Sequence, residues 1–132
     1  MSKNEEYILN ILLKENIKFI REKTFSDLRK GKYRFDFYLP KYNICLEIDG
    51  EQHFKQISKF QKTRTDFLKQ QENDRRKNSY CLANNISLYR IPYWDLNKIT
   101  FYSIFSNPIY RVTNIYHNDF LINAIRSDNS WN

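Results

Sequence analysis

Two short alternating segments constrain this chain more than anything else in it. Residues 33–40 read Tyr-Arg-Phe-Asp-Phe-Tyr-Leu-Pro, and residues 44–54 read Ile-Cys-Leu-Glu-Ile-Asp-Gly-Glu-Gln-His-Phe. Successive side chains of a strand point to opposite faces. Phe35, Phe37 and Leu39 are therefore expected on one face of the first strand, with Arg34, Asp36 and Tyr38 on the other. In the second, Ile44, Leu46 and Ile48 share a face, opposite Cys45, Glu47 and Asp49. The link Pro40-Lys-Tyr-Asn43 suits a hairpin turn. Pairing these strands brings three carboxylates, Asp36, Glu47 and Asp49, to one side of a small sheet. Like charges that close are costly unless a cation joins them, and a divalent metal ion is the simplest such partner.

The flanking pattern supplies the rest of the frame. Ser2 suits a helix cap, with Glu5 and Glu6 in the first turn, where the helix dipole favours negative charge. Ile8, Ile11 and Leu12 follow helical spacing, so the helix is expected to run to about Asn16. Residues 17–21 read as a first strand and 24–32 as a polar loop or short turn. Beyond Gly50, a stretch from about Ser58 to Asn84 reads as one long helix, with Phe60, Phe67, Leu68, Tyr80, Cys81 and Leu82 as an intermittent apolar stripe. Within it, residues 61–65 are polar enough to form a loop instead. Residues 86–91 resume as a strand closed by Pro92, and residues 99–105 suit a short helix that Asn107-Pro108 ends. Residues 109–132 show no clear period. The expectation is an α/β domain with a small mixed central sheet flanked by helices. Residues 1–95 form its core, and residues 96–132 form an extension packed on that core or reaching from it.

A chain of 132 residues, 41% hydrophobic and 17% aromatic, is long and apolar enough for one packed core. Its net charge of +7 favours polyanionic partners, nucleic acid first. Cys45 and Cys81 lie far apart without metal-ligand spacing, which argues for buried free thiols and against zinc. No apolar run approaches membrane-spanning length, and the opening Met-Ser-Lys-Asn-Glu-Glu is not a signal peptide. A soluble cytoplasmic protein with no membrane partner is the expectation.

Residues 25–94 resemble the core of the PD-(D/E)XK nuclease superfamily, most nearly its very-short-patch-repair-like branch and the related phage endonuclease-like and homing-type members. The resemblance rests on Arg34-Phe-Asp-Phe37, on Glu47-Ile-Asp-Gly50 with Gln52-His53, on Asn73-Asp74 with Lys77, and on Leu88-Tyr-Arg-Ile91, in that order. It implies a restriction-endonuclease-like fold and a metal-dependent endonuclease that hydrolyses DNA with Mg²⁺, or with Mn²⁺ in its place. Asp36 matches the first metal-binding aspartate and Glu47 the second acidic residue, and the carbonyl of Ile48 would complete the metal's inner sphere. Asp49 falls where the superfamily usually carries a lysine, which departs from the pattern. His53 resembles a histidine that some members use, and a neutral imidazole accepts a proton near pH 7. Asp74 matches an acid that orients such a histidine. Lys77, three residues on, is either a migrated catalytic lysine or a phosphate contact.

Each residue also has a plainer role open to it. Asp36 could be a structural partner of Arg34 or Arg90, and Asp74 with Lys77 an ordinary helix ion pair. Glu5 and Glu6 could approach the site or serve only the helix dipole. The candidate nucleic-acid contacts are Arg34, Gln52, Lys55, Arg75, Arg76 and Arg90, within a basic run that a solvated helix face would also explain. The rival to a nuclease is an inactive protein of the same fold that binds nucleic acid or a protein partner. RNA in place of DNA, and a homodimer, stay open.

Overall fold

Residues 2–54 and 64–128 are described in a computed structural model of the chain. Helix α1 spans Lys3–Lys14. Its capping box is complete: Glu5 N–H donates to Ser2 Oγ at 3.2 Å, and Ser2 N–H donates to the Glu5 carboxylate at 3.1 Å. Ile8 and Leu12, four apart, are its fully buried residues. Asn16 adopts a left-handed φ of 55° just past the helix, and Ile17 N–H closes back onto Leu12 O at 2.9 Å.

The sheet has four strands in the order β1 (Ile20–Thr24), β2 (Arg34–Leu39), β3 (Ile44–Asp49) and β4 (Ser87–Pro92). The first three form an antiparallel meander. Helix α2 (Arg64–Ala83) then carries the chain across to β4, which pairs parallel with β3. The molecule is thus mixed α/β with helices flanking a small mixed sheet, as the sequence pattern predicts. The strand expected at residues 17–21 lies later, at Ile20–Thr24. Its charges disguise it. As an edge strand it tolerates them, and Arg21 and Lys23 lay their charged ends over the rings of Phe37 and Tyr38. Helix α2 begins at Arg64. The expected start near Ser58, and the stretch 55–63 with Phe60, lie outside the described residues.

Two apolar layers sandwich the sheet. On one face Ile8 and Leu12 of α1 pack with Phe37, Leu39, Leu46, Ile48, Tyr89 and Ile91. Ile104 of α3 (Phe101–Ser106) joins them. On the other, Cys81 of α2 meets Phe35, Cys45 and Leu88. Phe35 is a correction to simple alternation, which places it with Phe37. The change of face lies opposite a break in β1: between the pairs Arg21↔Phe37 and Lys23↔Phe35 stands Glu22, with a left-handed φ of 52°. A left-handed residue breaks the pleat, so side chains beyond it change face. Arg21 accordingly reaches Glu5 of α1, whereas Lys23 lies over Phe25 and Tyr38 on the α2 side. The break coincides with the end of the β2–β3 ladder at Phe37↔Leu46. Asp36 is the first residue beyond it.

The segment after β4 packs on the core. Val112 N–H donates to Leu88 O at 2.9 Å, and Tyr89 bridges Arg111. Helix α4 (His117–Asp128) follows, within the part of the sequence that shows no period, and packs against α2. Phe54, Phe67 and Ile122 form a small apolar cluster that ties the loop after β3 to both helices. Among the described residues no helix is long and apolar enough to cross a membrane.

Candidate active site

Where β2 and β3 part, a cleft of about 350 Å³ opens between them, the start of α1, the turn after β3, and α2. Its walls include Asp36, Glu47, Ile48, Gln52, His53 and Lys77, all singled out from the sequence. Glu5 of α1 and Gln70 of α2 complete it. Glu5 therefore both closes the helix cap and faces the site.

Side chains replace the missing ladder. Asp36 N–H donates to Glu47 Oε1 at 2.8 Å, and Ile48 N–H donates to Asp36 Oδ2 at 2.7 Å. Each carboxylate is thus fixed by the backbone of the other strand. Lys77 reaches in from α2, donating to Glu47 Oε2 at 2.9 Å and to the Arg34 carbonyl at 2.5 Å, with its ammonium over the Phe35 ring. Burial disfavours the charged lysine, but Glu47 and Asp36 together overcome this and the Lys77 pKa rises. Asp36 fares differently. Burial, then the neighbouring Glu47 charge, push its pKa up to about 8, and the Ile48 N–H and Lys77 only partly oppose them. At pH 7 this carboxyl holds a proton that a divalent cation would displace. The donor set of two carboxylates beside the Ile48 backbone is all oxygen and fits a hard ion such as Mg²⁺ or Mn²⁺.

Asp49 does not join this pair. Like Glu47 it is buried with both oxygens bonded, but by other partners and off the cleft wall: Arg90 Nη1 donates to Oδ1 at 2.7 Å and Asn118 Nδ2 to Oδ2 at 2.8 Å. Strand alternation puts it on the Glu47 face, but there it meets the parallel neighbour β4, whose Arg90 pairs in register with Glu47. Arg90 holds Asp49 below its ordinary pKa against the opposing effect of burial. In this arrangement Asp49 anchors Arg90 and Asn118, apart from the Asp36–Glu47 pair it was expected to join. Arg90 is buried with it. At 1% exposure, bonded to Asn78 Oδ1 at 2.8 Å and to Asp49, it has no surface to offer a phosphate.

His53 sits between the two groups. Its Nδ1 lies 2.8 Å from Asp74 Oδ2 and 3.6 Å from Asp49 Oδ1, so Asp74 orients it as the resemblance implies. Burial lowers the His53 pKa, but Asp49 and Asp74 together overcome this and raise it to about 9. The two acids therefore favour the protonated ring. One ligand atom from each of Asp49, His53 and Asp74 lies within 4.8 Å of the others, a spacing a metal ion can use. Yet Arg90, 2.7 Å from Asp49 and 3.7 Å from Asp74, joins His53 in balancing those two carboxylates. The buried set is neutral without an added cation.

The expected nucleic-acid contacts divide. Gln52 lines the cleft and Arg34 is exposed, 3.9 Å from Glu22. Arg75 is taken by Asp119 of α4 at 2.8 and 3.2 Å, and Arg76 by Glu72 at 2.5 Å. Lys55 lies outside the described residues. Gln70 of the cleft wall escaped the sequence reading, and so did Asn78 and Asn118. Both are buried amides that bond the Arg90 and Asp49 side chains. Neither carries a sequence signal, because a buried Asn reads as surface in any hydropathy pattern.

No family model matches the chain, and no solved structure matches it. A protein of invertebrate iridescent virus 6, described as uncharacterized protein 307L, is similar to it. The two are 40% identical over 58 residues, which is 44% of this chain and 29% of the viral protein. The chain therefore spans under a third of that relative's length.

Proposed function

We propose that this chain is a metal-dependent endonuclease of the PD-(D/E)XK type that hydrolyses phosphodiester bonds in DNA. One observation carries the reading. Asp36 and Glu47 are locked together at the split between β2 and β3, and Lys77 from α2 brings an ammonium to within 2.9 Å of Glu47. The position where the superfamily keeps its lysine holds Asp49, and Lys77 supplies the missing charge from a different element. Asp36, Glu47 and the Ile48 carbonyl would hold Mg²⁺ or Mn²⁺. Such an ion lowers the pKa of water and offsets charge on a phosphoryl group. Lys77 adds fixed positive charge beside the carboxylates, where negative charge builds on the scissile phosphate. His53, protonated and held by Asp74 at the cleft wall, is placed to give its proton to the leaving oxygen. Burial of that dyad orients the ring before substrate arrives.

The test is incubation of the purified protein with supercoiled plasmid and Mg²⁺ or Mn²⁺, with an EDTA control. Nicking or linearisation that EDTA stops, and that Asp36→Ala and Glu47→Ala abolish, is the expected result. Full activity in either pure variant refutes the assignment. A rival keeps one observation of its own: Asp49 at the lysine position is consumed by Arg90, as it would be in a nuclease-fold protein that binds without turnover. Binding without cleavage across metals and DNA forms would favour it. RNA offered in competition separates an RNA-directed enzyme.

A further inference from the structure

Most cations expected to meet nucleic acid are bound to acids or buried, yet one segment holds four exposed cations of which only Arg34 has an acid partner among the described residues, Glu22 at 3.9 Å. Between Asp27 and Asp36 the chain holds four cations and no acid: Arg29, Lys30, Lys32 and Arg34. All four are exposed. Its backbone is unusual. Arg29, Lys30 and Gly31 are consecutive left-handed residues, with φ of 48°, 53° and 76°. Glycine or asparagine occupies such positions with little cost, whereas a long side chain there is strained. The turn nevertheless carries a lysine at its centre. Its geometry is held firmly: Gly31 N–H bonds Leu28 O at 3.0 Å, Lys32 N–H bonds Arg29 O at 3.0 Å, and Leu28 is buried. Arg29 lies over the Tyr33 ring, whose hydroxyl donates to Asn73 of α2 at 2.9 Å. Among the described residues Lys30 and Lys32 make no ion pair.

The segment is continuous with the cleft. Lys77, which holds Glu47, also bonds the Arg34 carbonyl. At about 3.3 Å per strand residue, Lys32 lies no more than roughly 13 Å from Asp36. That equals about four base-pair steps of duplex. We infer that Arg29, Lys30, Lys32 and Arg34 form a contact site for the phosphate backbone of duplex DNA flanking the scissile bond, with the left-handed turn projecting its lysine for that purpose. The inference rests on the nucleic-acid reading of the cleft. It names a binding surface that reads charge and not sequence.

The experiment measures binding of a labelled duplex of about 25 base pairs by the full chain in EDTA, across a salt series, for the wild type and for Lys30→Asn/Lys32→Gln. Asn accepts the left-handed backbone, so this variant should melt at or above the wild-type temperature. Each lost phosphate contact lowers the slope of log affinity against log salt by about 0.9, so the slope should fall by about 2 and affinity by more than about tenfold at 0.1 M salt. Lys14→Gln, at the far end of α1 from the cleft, should leave the slope unchanged. An unchanged slope in the double variant, or an equal fall in Lys14→Gln, overturns the contact site. So does failure of the wild type to bind at low salt. Plasmid cleavage is scored separately: a wild type that binds with the expected slope change but never cleaves sinks the nuclease reading and leaves the contact site standing.

Discussion

Glu47 and Asp49 lie two residues apart on the same face of β3, yet their surroundings are opposite. Asp49 sits in a closed set with Asp74, Arg90, His53 and Asn118, in which two cations balance two carboxylates. Glu47 sits in an open set on the wall of a cleft with Asp36 and Lys77, with Arg90 of the closed set more distant at 3.9 Å. The Asp36 carboxyl responds by keeping its proton up to about pH 8. The closed set is finished as it stands. The open set pairs a carboxyl that resists ionisation with a carboxylate on a cleft wall, and the proposed metal ion would bind there.

Variants at each set should separate the two. Asp36→Ala should lower DNA cleavage by at least about 10³-fold, the scale of several kcal/mol of metal-borne stabilisation. Circular dichroism should show an unchanged fold. Asp49→Ala strands the fully buried Arg90 guanidinium, so it should cost about 3–5 kcal/mol in stability by denaturant titration. If instead Asp49→Ala folds normally and loses only activity, the two sets have been assigned the wrong way round. Asn118→Ala removes one amide from two buried carboxylates and should cost about 1–3 kcal/mol. It tests whether α4, outside the resemblance, supports the site.

The smallest effect is one of pH. A carboxyl raised from 3.8 to about 8 binds its proton more tightly when folded. Stability from that proton is fully present below pH 3.8 and is lost as pH rises through 8. Asp36→Asn, which keeps an acceptor for the Ile48 N–H, should therefore melt about 2–5 °C above the wild type at pH 9 without divalent ions. The two should converge near pH 4. Convergence across the whole range would mean that the Asp36 carboxyl does not resist ionisation at all.

The acidic strands were legible because alternation exposes them: polar residues between Phe35 and Phe37, or between Leu46 and Ile48, have no solvated helix to explain them. Lys77 was legible from its spacing to Asp74. The face change at Glu22 was not, since no glycine marks that left-handed residue and its position shows only opposite Asp36. Strand β1 was displaced because Arg21, Glu22 and Lys23 look like loop until their partners Phe37, Tyr38 and Phe25 are in place. The closed set was hidden for a related reason. Its amides, Asn78 and Asn118, are buried against Arg90 and Asp49, and a network that satisfies itself leaves no hydrophobic period to read. Alternation could place Asp49 on the Glu47 face, but only the register with β4 could give it to Arg90.

The most direct measurement is calorimetric titration of Mn²⁺ into the wild type, Asp36→Ala and Asn118→Ala at pH 7 in buffers of different ionisation enthalpy. The open set should bind the ion and release the Asp36 proton, a signal lost in Asp36→Ala and kept in Asn118→Ala. Equal binding by the wild type and Asp36→Ala, or loss only in Asn118→Ala, would place the ion in the closed set and contradict the account.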